Sequence, residues 1–386
     1  MARVIGKMVA SFPAVKFGKL YYRQIDNEKT VALKESCGNF EGKMKLSEQA
    51  KNDLTWWINN IMNNSCPMVQ TKPDLVIYSD ASLKGWGGAR GKTTTGGNWS
   101  FTESIDHINV LELIAAYYVL ASLCDDVYNA HIRIMVDNKT ALAYINGMGG
   151  RKPACNKMAR KIWLWCQSRN VWLSAAYITS ADNVVADKMS RISHNNSEWT
   201  LNDNVFGKIC KIFGKPSLDL FASRLNFKCK RYISWQPDPF AEAVDAFSLD
   251  WGKEDLLYIF PPFCVIHKVL QKIDFDKADA IVIVPKWTTQ PWWSKLLRLL
   301  TDCPFSFNRN GETLSHPHRS LEELPRMSLI VCTLSGKSCR QLRFQLKHKE
   351  LSCHHGGGQR QDNMKFISRG GESMLVGNKW IPIHRL

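Results

Sequence analysis

Four carboxylates in the first half of this 386-residue chain end or interrupt otherwise apolar stretches. Asp80 closes VIYSD, Glu112 lies inside DHINVLELIAAYYVLASLC, Asp137 closes HIRIMVD and Asp187 sits in ADNVVADKMSR. An acid at the end of an apolar strand is held at a sheet edge, where burial normally expels a charge. Four such acids brought together repel one another unless cations neutralise them. Oxygen-only ligands, with no His or Cys among them, favour Mg²⁺ or Mn²⁺. Two such ions about 4 Å apart can activate a water and stabilise the leaving oxygen of a phosphodiester. Each acid also has a plain structural role when taken singly. Asp182 reads as a helix N-cap, and Glu112 alone reads as a solvated helix position. The four together are much more specific than any one.

The stretch VIYSDASLKGWGGARG, residues 76–91, offers a rival chemistry, a glycine loop around a phosphate. A dinucleotide fingerprint needs G-x-G-x-x-G, but counted from Gly85 the last position is Arg90. The glycines are also followed by TTTGGNWSF, which reads as turn and strand rather than the helix N-terminus a phosphate loop requires. The reading that remains is a strand that delivers Asp80, followed by a glycine-rich hairpin permitting close approach of backbone or substrate.

The elements that must position these acids alternate from Pro73 to about Arg191. Leu75–Asp80 reads as a strand, and GWGGAR with GGNWSF supplies two more joined by a Gly/Thr turn. Asp106–Cys124 reads as a long helix capped by Asp106 or Asn109. HIRIMVDN is a fourth strand, KTALAYING a short helix, NKMARKIWLWCQSRN a basic amphipathic helix, VWLSAAYI a fifth strand and ADNVVADKMSR a last helix. The result is a mixed α/β sheet domain.

Composition bounds the remainder. Hydrophobic residues make up 45% of the chain, enough for proper cores, and 51 Lys and Arg against 35 Asp and Glu give +16, which favours polyanion partners. Twelve cysteines form no C-x-x-C pair and read as reduced intracellular thiols, cytoplasmic or nuclear. Cys353, His354 and His355, with Cys332 and Cys339 upstream, match no zinc spacing and read as a polar loop. No apolar run approaches membrane-span length.

YSDAS followed by GWGG, LELIA, MVDNKTALAYIN and NVVADKMSR resemble the successive motifs of ribonuclease H domains of retroelements, over about residues 74–191. The resemblance implies a ribonuclease H-like mixed five-stranded sheet with flanking helices. Asp80, Glu112, Asp137 and Asp187 are then the carboxylates binding two Mg²⁺ or Mn²⁺ ions and cutting the RNA strand of an RNA–DNA hybrid. The loop YITSADN lacks the His that many relatives place there, which implies modest turnover. No separate basic protrusion precedes the basic helix, so hybrid affinity would depend on neighbouring segments.

A later run, SLDLFASRLNFKCKRYISWQPDP with VDAFSLDW, LLYIFPPFCVI and IVIVPKWTTQPWW, is similar to phage-type Dam adenine-N6 methyltransferases over about residues 216–300. That implies a second α/β, methyltransferase-like domain in which Asp219 helps hold S-adenosylmethionine and Pro261, Pro262 and Phe263 receive an adenine of DNA. The loop departs from D/N-P-P-Y/F at Phe260, which has no polar atom to accept an N6 hydrogen, so an inactive fold that binds DNA or cofactor is favoured over a live enzyme. Trp287, Trp292 and Trp293 read equally as base-stacking or as core and rim residues.

The flanks, IGKMVASFPAVKFGKLYYRQID and LSEQAKNDLTWWINNI, look like the thumb and connection that follow a reverse transcriptase palm in DIRS-type, tyrosine-recombinase retrotransposons. No YADD-like palm motif occurs, so the palm would come from a longer polyprotein. The expected organisation is a thumb/connection remnant over 1–72, the ribonuclease H-like domain over 73–192, a linker over 193–200, the methyltransferase-like domain over 201–325 and a basic, partly disordered tail over 326–386. From Val331 onward ten Lys or Arg face three Asp or Glu. The expected function is retroelement ribonuclease H, with a non-catalytic nucleic-acid-binding remnant or an adenine methyltransferase as rivals.

Overall fold

Apolar residues recurring every three or four positions organise the first sixty residues into α1 (Ala2–Ser11), α2 (Arg23–Glu35) and α3 (Glu48–Asn60). Ser47 caps α3 by accepting the Ala50 N–H. The structure, a computed structural model, describes residues 1–62, 65–66, 72–192, 199–307, 313–315, 328–348, 372–376 and 379–386. The chain divides into two compact units, Met1–Ser193 and His194–Leu386.

In the first unit, β1 (Leu75–Ala81), β2 (Gly85–Arg90) and β3 (Thr93–Asn98) form an antiparallel meander. After α4 (Phe101–Ser104) and α5 (Ile108–Leu123), β4 (His131–Val136) joins β1 in parallel. Two more helices, α6 (Lys139–Asn146) and α7 (Pro153–Ser168), lead to β5 (Trp172–Tyr177), parallel to β4, and α8 (Val184–Arg191) follows. The sheet order β3-β2-β1-β4-β5, with its antiparallel and parallel halves, is the ribonuclease H-like arrangement the motifs imply. His107 caps α5, its Nδ1 accepting the Asn109 N–H at 3.1 Å, in place of the expected Asp106 or Asn109.

Burial runs all round α5, from Val110 to Ala121 without a break, so it is a core helix rather than a surface one. Successive strand residues face opposite sides, and β2 uses this with two glycines. A Cβ at Gly88 would stand 2.2 Å from Val119 of α5, whereas one at Gly87 would stand 2.4 Å from the Ser190 nitrogen of α8. The glycine cluster thus lets a helix close on each face of β2.

The amino-terminal helices share this core. Tyr21 stacks on Trp56 with ring centroids 4.0 Å apart, and Trp57, Leu20 and Ile25 are buried in the same cluster as the sheet.

The second unit carries β6 (Thr200–Leu201), α9 (Asp203–Phe213), β7 (Leu218–Asp219), β8 (Arg231–Ser234), β9 (Ala243–Val244), β10 (Leu257–Ile259), α10 (Ile266–Phe275) and β11 (Asp279–Pro285). It continues through α11 (Trp293–Arg298), β12 (Phe305–Ser306), β13 (Leu314–Ser315), β14 (Leu329–Ser335), α12 (Ser338–Leu346), β15 (Glu372–Val376) and β16 (Lys379–Arg385). Its nine-stranded sheet runs β15-β16-β12-β14-β11-β10-β7-β8-β9, and β6 pairs with β13 apart from it. From β9 to β11 the strands are parallel, and β14 inserts antiparallel beside β11.

The segment from 326 onward therefore does not behave as the expected tail where it is described. β14 (LIVCTLS) is an interior strand, and Met374, Ile381 and Ile383 of the last hairpin join the core. Counting charge over the whole segment hid these apolar stretches. The Cys353, His354 and His355 cluster lies outside the described residues, as does 193–198 of the expected linker. Trp292 and Trp293 are core residues, whereas Trp287 is 41% exposed and packs edge-on against Phe263. No described helix is long and apolar enough to cross a membrane.

Candidate metal centre

β1 and β4 are in register at Tyr78 and Met135, so two residues further along each strand path come Asp80 and Asp137. Glu112 reaches the same point from α5. One carboxylate oxygen of each of Asp80, Glu112 and Asp137 lies within 4.8 Å of the others. The structure thus brings together three of the four acids singled out in the sequence.

Asp80 and Glu112 are each only 4% exposed. Burial, reinforced by the charges of Asp80 and Asp137, pushes the Glu112 carboxyl up to about 9, against one backbone N–H from Ala81. Its Oε2 is buried without a hydrogen-bond partner. Burial also raises Asp80, and the charges of Asp137 and Asp187 add to it, opposed by Ser190 and Arg191. A buried acceptor without a donor costs about 1–3 kcal/mol, and the donor set here is all carboxylate. A divalent cation would satisfy the unpaired oxygen and offset the repulsion, so the donor set fits an oxygen-ligated ion such as Mg²⁺ or Mn²⁺. Glu112 is thus a core acid, and the solvated reading of it does not hold.

Asp187 stands apart from this group of three. It lies on α8, and Arg191 holds its Oδ1 through Nε at 2.8 Å and Nη2 at 2.6 Å. It is close enough for its charge to raise Asp80. Asp182 does not cap α8. It accepts the Thr179 hydroxyl at 2.6 Å, and the cap position falls to Asn183, whose Nδ2 donates to the Ser79 carbonyl at 3.1 Å.

Three supporting residues escaped the sequence reading. Ser180, in the loop that lacks His, donates to Asp137 Oδ2 at 2.6 Å. Ser190 donates to Asp80 Oδ2 at 2.6 Å. Asn138 donates to Asn109 Oδ1 at 3.0 Å and caps α6 by accepting the Ala141 N–H, tying the residue after Asp137 to α5 one turn ahead of Glu112. The only sequence signal for Ser190 was a hydroxyl on the buried face of an amphipathic helix, three residues after Asp187.

In the second unit a cavity of about 410 Å³ opens where β7 and β10 end. Phe221, Trp235, Phe247, Phe260 and Phe263 wall it, with Pro261 and Pro262, while Ser223, Asn226 and Asp245 bring polar atoms. Crevices beyond the carboxyl ends of parallel strands are where such sheets bind ligands. Asp219 is not on this wall. It is 2% exposed, and its carboxylate accepts the N–H groups of Phe221 at 3.3 Å and Lys228 at 3.0 Å. The Asp219 oxygens thus bond the loop that follows β7. At Phe260 the cavity presents an apolar ring.

Residues 188–305 match the family described as DNA N-6-adenine-methyltransferase (Dam). A search of curated proteins returned no match. Among solved structures, the chain is similar to RNase H1 from the halophilic archaeon Halobacterium salinarum NRC-1, with 16% identity and a TM-score of 0.26 over 30% of this chain and 92% of the other. It is similar to LC11-RNase H1 in complex with RNA/DNA hybrid, with 16% identity and a TM-score of 0.26 over 30% and 93%. It is also similar to native Prototype Foamy Virus Protease-Reverse Transcriptase, with 13% identity and a TM-score of 0.21 over 47% of this chain and 27% of that one.

Proposed function

We propose that the first unit is a divalent-metal ribonuclease that hydrolyses the RNA strand of RNA–DNA hybrids. The observation that carries this reading is the group of buried Asp80 and Glu112 with half-buried Asp137 at the β1–β4 junction, with Glu112 Oε2 left without a donor. Asp80, Glu112 and Asp137 would hold an ion, and Asp187 would join them for a second once Arg191 releases it. Ions bound there supply Lewis acidity and an acidified water for phosphodiester hydrolysis.

The chain's own residues orient that group. Ser180 and Ser190 each occupy one oxygen of Asp137 and Asp80, and the Asn138–Asn109 bond fixes the end of β4 against α5. The 2′-hydroxyls and groove shape of a hybrid distinguish it from DNA duplex. The excess of 51 Lys and Arg over 35 Asp and Glu supports a polyanionic substrate.

The biological setting in this reading is reverse transcription by a DIRS-type retroelement, with a reverse transcriptase palm as partner. Amino-terminal helices that share a core with the nuclease sheet, together with a Dam-matching second unit, support that arrangement. Incubating wild type and Asp137→Asn with a labelled hybrid and Mg²⁺ or Mn²⁺ tests the reading. Equal cleavage by the two proteins would refute it.

The Dam match favours a second reading for the other unit, adenine-N6 methylation of DNA. Phe260 argues against transfer, since this position of the loop carries no polar side-chain atom to accept from the reacting amine. An aromatic-walled cavity that binds without methylating is the reading we favour. Calorimetric titration with S-adenosylmethionine and a methyl-transfer assay on DNA separate the two, and transfer to adenine would overturn it.

A further inference from the structure

Asp80 is gripped from outside the acid group by a serine of α8. Ser190 is fully buried, and its Oγ stands 2.6 Å from Asp80 Oδ2 and 2.9 Å from the Asp187 carbonyl. The hydroxyl carries one proton. The shorter contact and the charged acceptor direct it to Asp80, at the length of a charge-assisted O–H···O⁻ bond.

The serine is itself fixed by backbone. Ser82, two residues after Asp80, donates its hydroxyl to the Ser190 carbonyl at 2.7 Å. Gly87 leaves no room for a Cβ against the Ser190 nitrogen, so the helix lies directly on β2. The end of β1 and the last turn of α8 are therefore stitched together in both directions: Ser82 to Ser190, and Ser190 back to Asp80.

A carboxylate facing two others lowers its repulsion by rotating away, and a donor on one oxygen opposes that rotation. Outer partners of this kind set ligand orientation and tune affinity for a metal. We infer that Ser190 is a positioning residue, holding Asp80 toward a divalent cation shared with Glu112 and Asp137. The inference rests on the metal-centre reading of the first unit and assigns α8 a part in ion binding separate from that of Asp187.

The test is calorimetric titration of the full chain with Mn²⁺, alongside hybrid cleavage, for wild type, Ser190→Ala, Ser190→Cys and Ser82→Ala. Ser190→Ala is expected to weaken Mn²⁺ binding about 10–100-fold and to lower kcat with the KM for hybrid unchanged. Ser190→Cys fills the same space with a weak donor and falls between Ala and wild type. Ser82→Ala loosens the hold on Ser190 but leaves the hydroxyl on Asp80, so its Mn²⁺ affinity falls by less than that of Ser190→Ala. Wild-type affinity in Ser190→Ala overturns the inference, and so does an equal loss in Ser82→Ala, which would mark a general docking effect. Ser190-dependent Mn²⁺ binding by a wild type that cuts no hybrid upholds the inference and removes the substrate reading. A wild type that binds no Mn²⁺ removes both.

Discussion

Arg191 grips Asp187 through two N–H groups on one oxygen, on a face of α8 where the Arg191 side chain is 64% exposed and that of Asp187 33%. The fourth acid is thus neutralised by protein, whereas among the described residues no Lys or Arg forms an ion pair with Asp80, Glu112 or Asp137. Asp187→Asn is therefore expected to reduce hybrid cleavage about tenfold, against at least about 100-fold for Asp80→Asn or Asp137→Asn. Steady-state rates at saturating Mg²⁺ check the order, and equal losses at all three positions would contradict it.

Glu112 carries the second expectation. Its carboxyl is pushed up to about 9 in the fold, above the ordinary carboxylate range it has when unfolded. A raised acid contributes a penalty that grows as pH rises from about 4.5 toward 9, because only the unfolded state is free to ionise. Without divalent ions, Glu112→Gln is expected to stabilise the first unit at pH 7 by on the order of 3 kcal/mol. Mg²⁺ is expected to raise the thermal midpoint of wild type and not of the variant. Thermal denaturation with and without Mg²⁺ reads both effects, and a destabilised variant would contradict them.

Asp219 supplies a pH dependence in the second unit. Burial pushes it up to about 7, despite the N–H groups of Lys228 and Phe221. The sign is that of a raised acid: its contribution to stability is present below the unfolded value near 4 and is lost as pH rises toward 7. Urea denaturation from pH 4 to 8 is expected to show this loss, about 4 kcal/mol at most, and Asp219→Asn is expected to flatten it. An unchanged slope in the variant would show that Asp219 is not the group responsible.

The amino-terminal helices are expected to be required by the first unit. Asp53 of α3 is 1% exposed and takes two bonds from Arg160 of α7, at 2.7 and 3.2 Å. Removing one partner of such a pair leaves an uncompensated buried charge. Arg160→Ala is expected to cost about 3–5 kcal/mol. Chemical denaturation measures this, and a loss below about 1 kcal/mol would place the pair among surface contacts.

The legible parts of this protein were those written locally. Asp80 and Asp137 each end an apolar run, and the alternation of runs around them carried the sheet. Glu112 was ambiguous, because an acid inside a helix reads as solvated until the helix is known to be buried on every side. Ser180 and Ser190 were not legible, since hydroxyls are common and only the tertiary contact distinguishes these two. The backbone partners of Asp219 were not legible either. An acid ending a short strand resembles a ligand for something outside, but here the returning chain supplies the donors. LIVCTLS was lost in a charge count taken over a segment too long to show it.

The central claim is that the first unit cuts RNA paired with DNA by means of the Asp80, Glu112 and Asp137 group. The most direct measurement labels the RNA and DNA strands of one hybrid separately and follows both with Mg²⁺ or Mn²⁺, for wild type and Asp137→Asn. Fragments of the RNA strand alone, made by wild type and lost with chelator and in the variant, are the predicted result. An intact RNA strand with wild type, or the same fragments from Asp137→Asn, would contradict the account.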